Sequence, residues 1–179
     1  MKLKPKSSQV GSSLLEIMIA IVITVIGLLG VAALQINSLK FQKTASQRSV
    51  AMQSAYDISE RIRANGLAGK AGTYNYLTAY ASTVASPPTV PTCSGICGSA
   101  TVAAVDRAEW LLDLSRQLVG GAGNITPNAS ATALGVQGVL DVTIMWQEPG
   151  FTGTDLICSN SAAPAPGAGV RCYVVTVVL

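Results

Sequence analysis

The stretch Leu14–Leu39 reads LLEIMIAIVITVIGLLGVAALQINSL, and Glu16 is its only charged residue. From Ile17 to Leu34, Thr24 has the only side chain that forms hydrogen bonds. An apolar run of this length predicts a helix that can cross a membrane. A carboxylate is costly at the end of such a segment, so Glu16 is the first candidate for a functional residue.

Charge is unevenly distributed around this stretch. Lys2, Lys4 and Lys6 precede Gly11, and the rest of the 179-residue chain carries as many acidic as basic side chains. The lysines should stay on the cytoplasmic side, which places the chain after Leu39 outside the inner membrane. The chain after Gly11 has no net charge and no basic patch, which argues against nucleic-acid binding. The chain has no histidine, and we expect no catalytic residue, no cofactor and no metal site.

An ordinary secretory signal is an alternative interpretation of the amino terminus. Such a signal is cleaved after its apolar run, and the small residues around Val31-Ala32-Ala33 offer a site there. The run is longer than a usual signal core and continues into a helical pattern. We therefore favour a retained helix.

The helical pattern beyond Leu39 is amphipathic and indicates a helix that reaches Ala64. Asn65-Gly66 is a suitable stop, because both residues tolerate the left-handed conformation that ends helices. The predicted apolar stripe, with spacings of mostly three, four and seven, comprises Phe41, Ala45, Met52, Ala55, Tyr56, Ser59 and Ile62.

The remaining chain predicts a small α+β unit. Prolines between residues 66 and 100 exclude a regular helix there, and Tyr74, Tyr76 and Tyr80 either cover the long helix or mark a short strand. A second amphipathic helix is predicted over 102–119, with apolar Trp110, Leu111, Leu114 and Leu118 and with a solvated face of Asp106, Glu109, Asp113 and Arg116. Residues 138–147 alternate as a half-buried strand, with Leu140, Val142, Ile144 and Trp146 inward, and 171–179 form the last strand. The predicted fold is a long N-terminal hydrophobic helix packed on a small antiparallel sheet.

Four cysteines in an anchored chain suggest two disulfides in an oxidising compartment. Three complete pairings are possible, and we prefer Cys93 with Cys97 and Cys158 with Cys172. Four reduced thiols or a zinc site are the alternatives. A zinc site is disfavoured because the second pair lies 14 residues apart, unlike the usual close pairs.

The segment Gly11-Ser12-Ser13-Leu14-Leu15-Glu16 resembles the class III signal of type IV prepilins. The resemblance implies that a prepilin peptidase cuts between Gly11 and Ser12 and methylates the new amino terminus. Ser12 stands where the family usually has phenylalanine. Glu16 matches the family's glutamate at the fifth mature position. The implied organisation is a leader peptide over 1–11, a transmembrane and assembly segment over 12–39, an amphipathic half-helix over 40–65 and a periplasmic globular part over 66–179.

Within this superfamily the chain is most similar to PilV-type minor pilins. The features that carry the resemblance are Ile26-Gly27-Leu28-Leu29-Gly30, Glu60 to Asn65, Trp110 with Leu118-Val119-Gly120-Gly121, and Val142 to Trp146. The resemblance implies a minor pilin that helps to initiate or assemble a type IV pilus for adhesion, twitching or DNA uptake. Its place in the tip complex or along the shaft stays open. Its implied partners are the peptidase, other minor pilins, the major pilin and, before assembly, the inner membrane. The alternatives are a minor pseudopilin of a type II secretion system and a membrane-anchored periplasmic binding domain.

Overall fold

The computed structural model describes residues 14–81, 88–159 and 166–179. Their elements, in chain order, are α1 (Leu14–Ala64), α2 (Gly66–Lys70), α3 (Ser99–Gln117), β1 (Ala122–Pro127), α4 (Ala129–Ala133), β2 (Val139–Gln147), α5 (Leu156–Ser159) and β3 (Val170–Val178). Contacts divide the chain into two compact units, the first ending at Gln42 and the second beginning at Lys43. We call the second one the globular unit. The predicted α+β class, with a long N-terminal helix and a small antiparallel sheet, is confirmed.

The second half of α1 supplies one side of the core. Its buried stripe is Ala51, Ala55, Ile58 and Ile62, all fully inaccessible, at spacings of four, three and four residues. The predicted stripe was partly wrong, because Phe41, Met52 and Tyr56 are 75%, 42% and 56% exposed. Two alanines leave room for close packing against α1, and this shifts the buried face away from those large side chains. The helix ends at Ala64 as predicted, but the expected left-handed conformation is absent, because Asn65 has a φ of −111° and Gly66 has no positive φ. The expectation of no helix after residue 66 was wrong for α2, which lies before the prolines of that stretch.

Helix α3 begins and ends earlier than its pattern suggested. It covers Ser99–Gln117 instead of 102–119. Leu118 already has extended backbone angles, although its N–H still donates to the Leu114 carbonyl at 3.0 Å. The apolar face is confirmed at Trp110, Leu114 and Leu118, each at most 3% exposed.

The sheet is an antiparallel meander in the order β1-β2-β3. Strands β2 and β3 lie within a residue of their predicted bounds, whereas β1 was not predicted. The inward residues of β2 are buried as predicted, from Leu140 at 4% exposure to Trp146 at 3%. The expectation of a half-buried strand was wrong on the opposite face, where Thr143 and Met145 are only 1% exposed.

A second small core explains the burial of that opposite face. Met145 packs there with Val170 and Cys172 of β3 and with Cys158 of residues 148–159, which we call the C-terminal loop. Tyr80 covers the edge of this cluster. The C-terminal loop therefore closes the face of β2 that the sequence pattern assigned to solvent.

Two glycines allow α3 to lie directly against β1. A Cβ atom at Gly123 would stand 2.7 Å from Cζ3 of Trp110 and 2.9 Å from Cδ1 of Leu114. A Cβ atom at Gly121 would stand 2.7 Å from the carbonyl carbon of Leu114. Both contacts are far shorter than van der Waals distance, so the short strand and the helix can meet only where side chains are absent.

The chain between α2 and α3 adds to the outer edge of β1. Tyr76 and Ile125 exchange two backbone hydrogen bonds, each 2.8 Å long. The Asn124 side chain accepts from the Thr78 N–H at 3.0 Å and donates to the Thr78 carbonyl at 3.3 Å. Tyr74 is fully buried against the core. Of the two alternatives for these tyrosines, Tyr74 thus joins the core, and Tyr76 forms a single bridge.

Candidate assembly segment and the clusters of the globular unit

The first part of α1 presents its apolar side chains outward. All residues from Leu14 to Lys43 are exposed. One 18-residue window of α1 has a mean hydropathy of 2.9 and is not buried at all within the chain. A soluble monomer rarely leaves so large an apolar surface uncovered, which marks a segment for lipid or for other helices. We call residues 14–42 the assembly segment.

Polar groups in the assembly segment are few and locally accommodated. Glu16 lies in the first turn of α1, where the helix dipole favours an anion. The Thr24 hydroxyl donates to the Ala20 carbonyl at 2.8 Å, so it needs no partner from outside the helix. Gly11 and Ser12 lie outside the described residues, and their processing stays a prediction.

Arg61 joins α1 to α3 through a cluster of carboxylates. Its Nη1 atom lies 2.8 Å from Glu109 Oε2 and 3.3 Å from Asp106 Oδ1, and its Nε atom lies 3.1 Å from Asp57 Oδ2. The hydrogen bond to Glu109 raises the pKa of Arg61 above its ordinary value. The prediction of a solvated face on α3 was therefore wrong at Asp106, whose side chain is 16% exposed and paired.

Tyr74 is a further member of the Arg61 cluster. Its hydroxyl donates to Asp106 Oδ2 at 2.6 Å and accepts from the Asn65 side chain at 3.3 Å. Asn65 also donates to the Ser99 carbonyl at 2.8 Å. The end of α1, the start of α3 and Tyr74 are thus held by one hydrogen-bonded group. The sequence offered only the Asp57–Arg61 spacing as a signal of it.

Stability should fall in alkali because of Tyr74. Burial, and secondly the hydrogen bond to Asp106, raises the pKa of Tyr74 to about 12. In the unfolded chain the pKa of a tyrosine is about 10. A group whose pKa is higher in the folded state stabilises the fold fully below pH 10, and this contribution is lost as the pH rises towards 12. We expect the free energy of unfolding to drop by on the order of 2 kcal/mol over this window.

Denaturant unfolding of the full chain in detergent at pH 9, 10, 11 and 12 measures this dependence. The Tyr74→Phe variant should have a smaller alkaline slope while being less stable at neutral pH. The remaining slope comes from Tyr80 and Tyr173, because burial raises the pKa of both. Tyr76→Phe is the matched control and should keep the slope. An unchanged slope in Tyr74→Phe would contradict the assignment.

A second ionic cluster holds the C-terminal loop to α1. The guanidinium of Arg48 donates to both oxygens of Glu148, at 3.1 and 3.0 Å. These bonds raise the pKa of Arg48, and the Glu148 side chain is 8% exposed. Arg171 lies 3.6 Å from Glu148 Oε2 and 3.6 Å from Asp155 Oδ2, and it stacks over the Phe151 ring. Two guanidinium groups thus share two nearly buried carboxylates, an arrangement that compensates the loss of water around each charge.

Asp155 also fixes the backbone of the loop. Its side chain accepts from the Ile157 N–H at 3.0 Å and from the Cys172 N–H at 3.3 Å. The structure joins Cys158 to Cys172, with Cα atoms 5.3 Å apart, and Cys93 to Cys97, with Cα atoms 6.1 Å apart. In the described part of the chain, no three His, Cys, Asp or Glu side chains are placed to hold a metal ion.

The Cys158–Cys172 disulfide should contribute more to stability than the Cys93–Cys97 disulfide. Its loop is longer, with a sequence separation of 14 against 4, and its sulfurs belong to a buried cluster. Chain entropy for a loop of this size corresponds to about 3 kcal/mol. Paired Cys→Ser replacement at 158 and 172 should lower the free energy of unfolding by that amount in urea titrations. The same replacement at 93 and 97 is the control, and an equal loss in both variants would contradict the prediction.

The chain matches no curated protein and no solved structure. The model for the Tt1218-like family, described as type IV pilin Tt1218, matches residues 33–108. That range takes in the second half of α1, the chain between α2 and α3, and the first half of α3, including Arg61 and Tyr74. The match, together with the long apolar helix and the small antiparallel sheet, supports a place for this chain in the type IV pilin superfamily.

Proposed function

We propose that the chain is a minor pilin of a type IV pilus that takes part in initiating and assembling the filament, at its tip or along its shaft. The observation that carries the proposal is the assembly segment, a helical surface that is apolar and that no other described residue covers. The family match supports a role among pilins. The PilV-type motifs support the narrower role of a minor subunit.

The proposed chemistry is packing and charge pairing instead of catalysis. Before assembly, the assembly segment lies in the inner membrane with the globular unit in the periplasm. In the filament, the same surface packs against the helices of other minor pilins and of the major pilin. Glu16 then pairs with the positive amino terminus of a neighbouring subunit or with its own. Opposite charges attract far more strongly in such an apolar medium than in water.

Processing supplies that amino terminus. A prepilin peptidase cuts between Gly11 and Ser12 and methylates Ser12, so that Glu16 becomes the fifth residue of the mature chain. The three lysines of the leader are removed at the same step. The amino-terminal charge is thereby brought within five residues of the carboxylate.

Peptide mapping of the mature amino terminus tests this function. In cells that make the peptidase, we expect the first peptide to begin at Ser12 with one methyl group. The Gly11→Leu variant should stay uncut, whereas the neighbouring Val10→Ala variant should be cut normally. An intact Met1, or cleavage near Ala33, would overturn the proposal. An unmethylated Ser12 would overturn the methylation alone.

A minor pseudopilin of a type II secretion system shares the same processing, so a second measurement separates the two. Pili sheared from the cell surface should contain the chain, detected by mass spectrometry. The family description as a type IV pilin favours this outcome. Absence from sheared pili together with a secretion defect in a deletion strain would favour the pseudopilin.

A further inference from the structure

Strand β3 forms one edge of the sheet. It pairs with β2 on one side, and its register runs from Val170 opposite Gln147 to Val178 opposite Val139. No other described strand pairs with its second side. The outer edge of β3 therefore presents backbone N–H and C=O groups that the sheet does not use.

Two hydrogen bonds identify which residues point outward. The Cys172 N–H donates to Asp155, so the backbone groups of Cys172 face away from β2. The Leu179 N–H donates to the Gly138 carbonyl, which precedes β2, so it faces inward. Because the direction alternates along a strand, the even-numbered residues of β3 point their backbone groups outward.

Only the beginning of this edge is covered by the described residues. The Asp155 carboxylate occupies it at Cys172. From Val174 onward it is open, and Thr176 and Val178 are exposed, Val178 at 66%. Natural proteins usually protect such an edge with a charge, a proline or a bulge. The stretch Tyr173–Val178 has no charged residue and no proline.

We propose that this open edge pairs with the same edge of a second copy of the chain. The stretch Val174–Val178 reads VVTVV and is the same in both directions. A two-fold axis through Thr176 sets Val174 of one copy opposite Val178 of the other, and Thr176 opposite Thr176. All these residues point outward, so the pairing forms about six backbone hydrogen bonds.

The symmetry of the stretch favours a second copy over an unrelated strand. In the two-fold register every valine meets a valine, and the threonine meets a threonine, a pairing that stabilises antiparallel sheets. A symmetric interface of this kind uses one surface patch twice. The inference concerns the globular unit and does not rest on the proposed pilin role.

Cysteine cross-linking tests the register. In the two-fold pairing the Thr176 Cα atoms lie about 5.5 Å apart, within the range of a disulfide. The Val178 Cα atoms lie about 13 Å apart, beyond that range. We expect Thr176→Cys to give a covalent dimer of the full chain in detergent micelles under mild oxidation. Val178→Cys is the matched control and should stay monomeric on a non-reducing gel.

Charge replacement gives an independent test that needs no new thiol. Val174→Lys with Val178→Lys sets like charges opposite each other and should abolish the dimer in analytical ultracentrifugation. Val174→Glu with Val178→Lys sets opposite charges together and should retain it. Equal cross-linking of both cysteine variants, no cross-linking of either, or equal behaviour of the two charge variants would overturn the proposal. A cross-link in cells to a different protein would assign the edge to that protein instead.

Discussion

Replacing Trp110 with alanine should lower the free energy of unfolding by about 3–5 kcal/mol, the usual range for a large aromatic side chain in a core. Trp110 is 1% exposed and extends from α3 towards α1 and β1. Its indole N–H donates to the Ser54 carbonyl at 3.1 Å, so the variant also loses a bond to α1. Urea titration of the full chain in detergent, followed by circular dichroism, measures the loss.

Two further variants separate packing from the hydrogen bond. Trp110→Phe retains much of the apolar contact and loses the bond to Ser54, so its cost should be intermediate. Val102→Ala, on the exposed side of the same helix at 36% exposure, is the control and should cost less than about 0.5 kcal/mol. A cost for Trp110→Ala no larger than this control would contradict its place in the core.

The contact between Trp110 and Gly123 makes the prediction more specific. Gly123→Ala alone should destabilise by about 1–3 kcal/mol, because its methyl group would overlap the indole ring. In the Trp110→Ala background the ring is gone, and the same methyl group meets only Cδ1 of Leu114, the end of a flexible side chain. The two replacements should therefore be strongly non-additive in a double-mutant cycle. Additive costs would show that α3 and β1 are further apart than in the structure.

Elements with a regular apolar period were predictable from the sequence. The alternation along β2 located that strand to within one residue, and the apolar period of α3 located its buried face. Strand β1 gave no such signal, because AGNITP contains a glycine, an asparagine and a proline, all unfavourable in strands. It forms because β2 and Tyr76 pair with its two sides and because α3 needs small residues beneath Trp110.

The ionic clusters could not be predicted, for a different reason. Arg48 and Glu148 are 100 positions apart, and Arg61 and Glu109 are 48 apart. A charge on a helix surface looks the same in sequence whether it faces water or a partner from a distant segment. The apolar stripe of α1 failed similarly, because large side chains such as Met52 and Tyr56 seemed better core candidates than Ala51. The assembly segment was predictable as an exposed apolar helix, because its side chains form one continuous run along the sequence.

The second large expected effect is on filament assembly, and it depends on the charge of Glu16. It is the only carboxylate in the assembly segment, and every neighbour along Leu14–Leu39 is uncharged. In a membrane the first turn of α1 can stay near the headgroups and water. In a packed bundle of helices that access is lost, and a charge without a partner there costs about 3–5 kcal/mol. The positive amino terminus that the proposed processing creates therefore depends on pairing with Glu16 in the bundle. In an isolated membrane helix, water and headgroups can solvate it instead.

We therefore expect Glu16→Gln to be inserted in the membrane and processed normally, but to enter filaments at least about tenfold less than the parent chain, since each 1.4 kcal/mol lost in association is tenfold. Glutamine keeps the shape and removes the charge, so the loss measures charge pairing. Thr24→Val, in the same segment, is the matched control and should assemble normally, because the Thr24 hydroxyl bonds within its own helix. Quantitative immunoblots measure the amount of each variant in the membrane fraction and in the sheared-pilus fraction. Normal filament incorporation of Glu16→Gln would show that packing alone drives assembly and that the carboxylate has no partner in the filament.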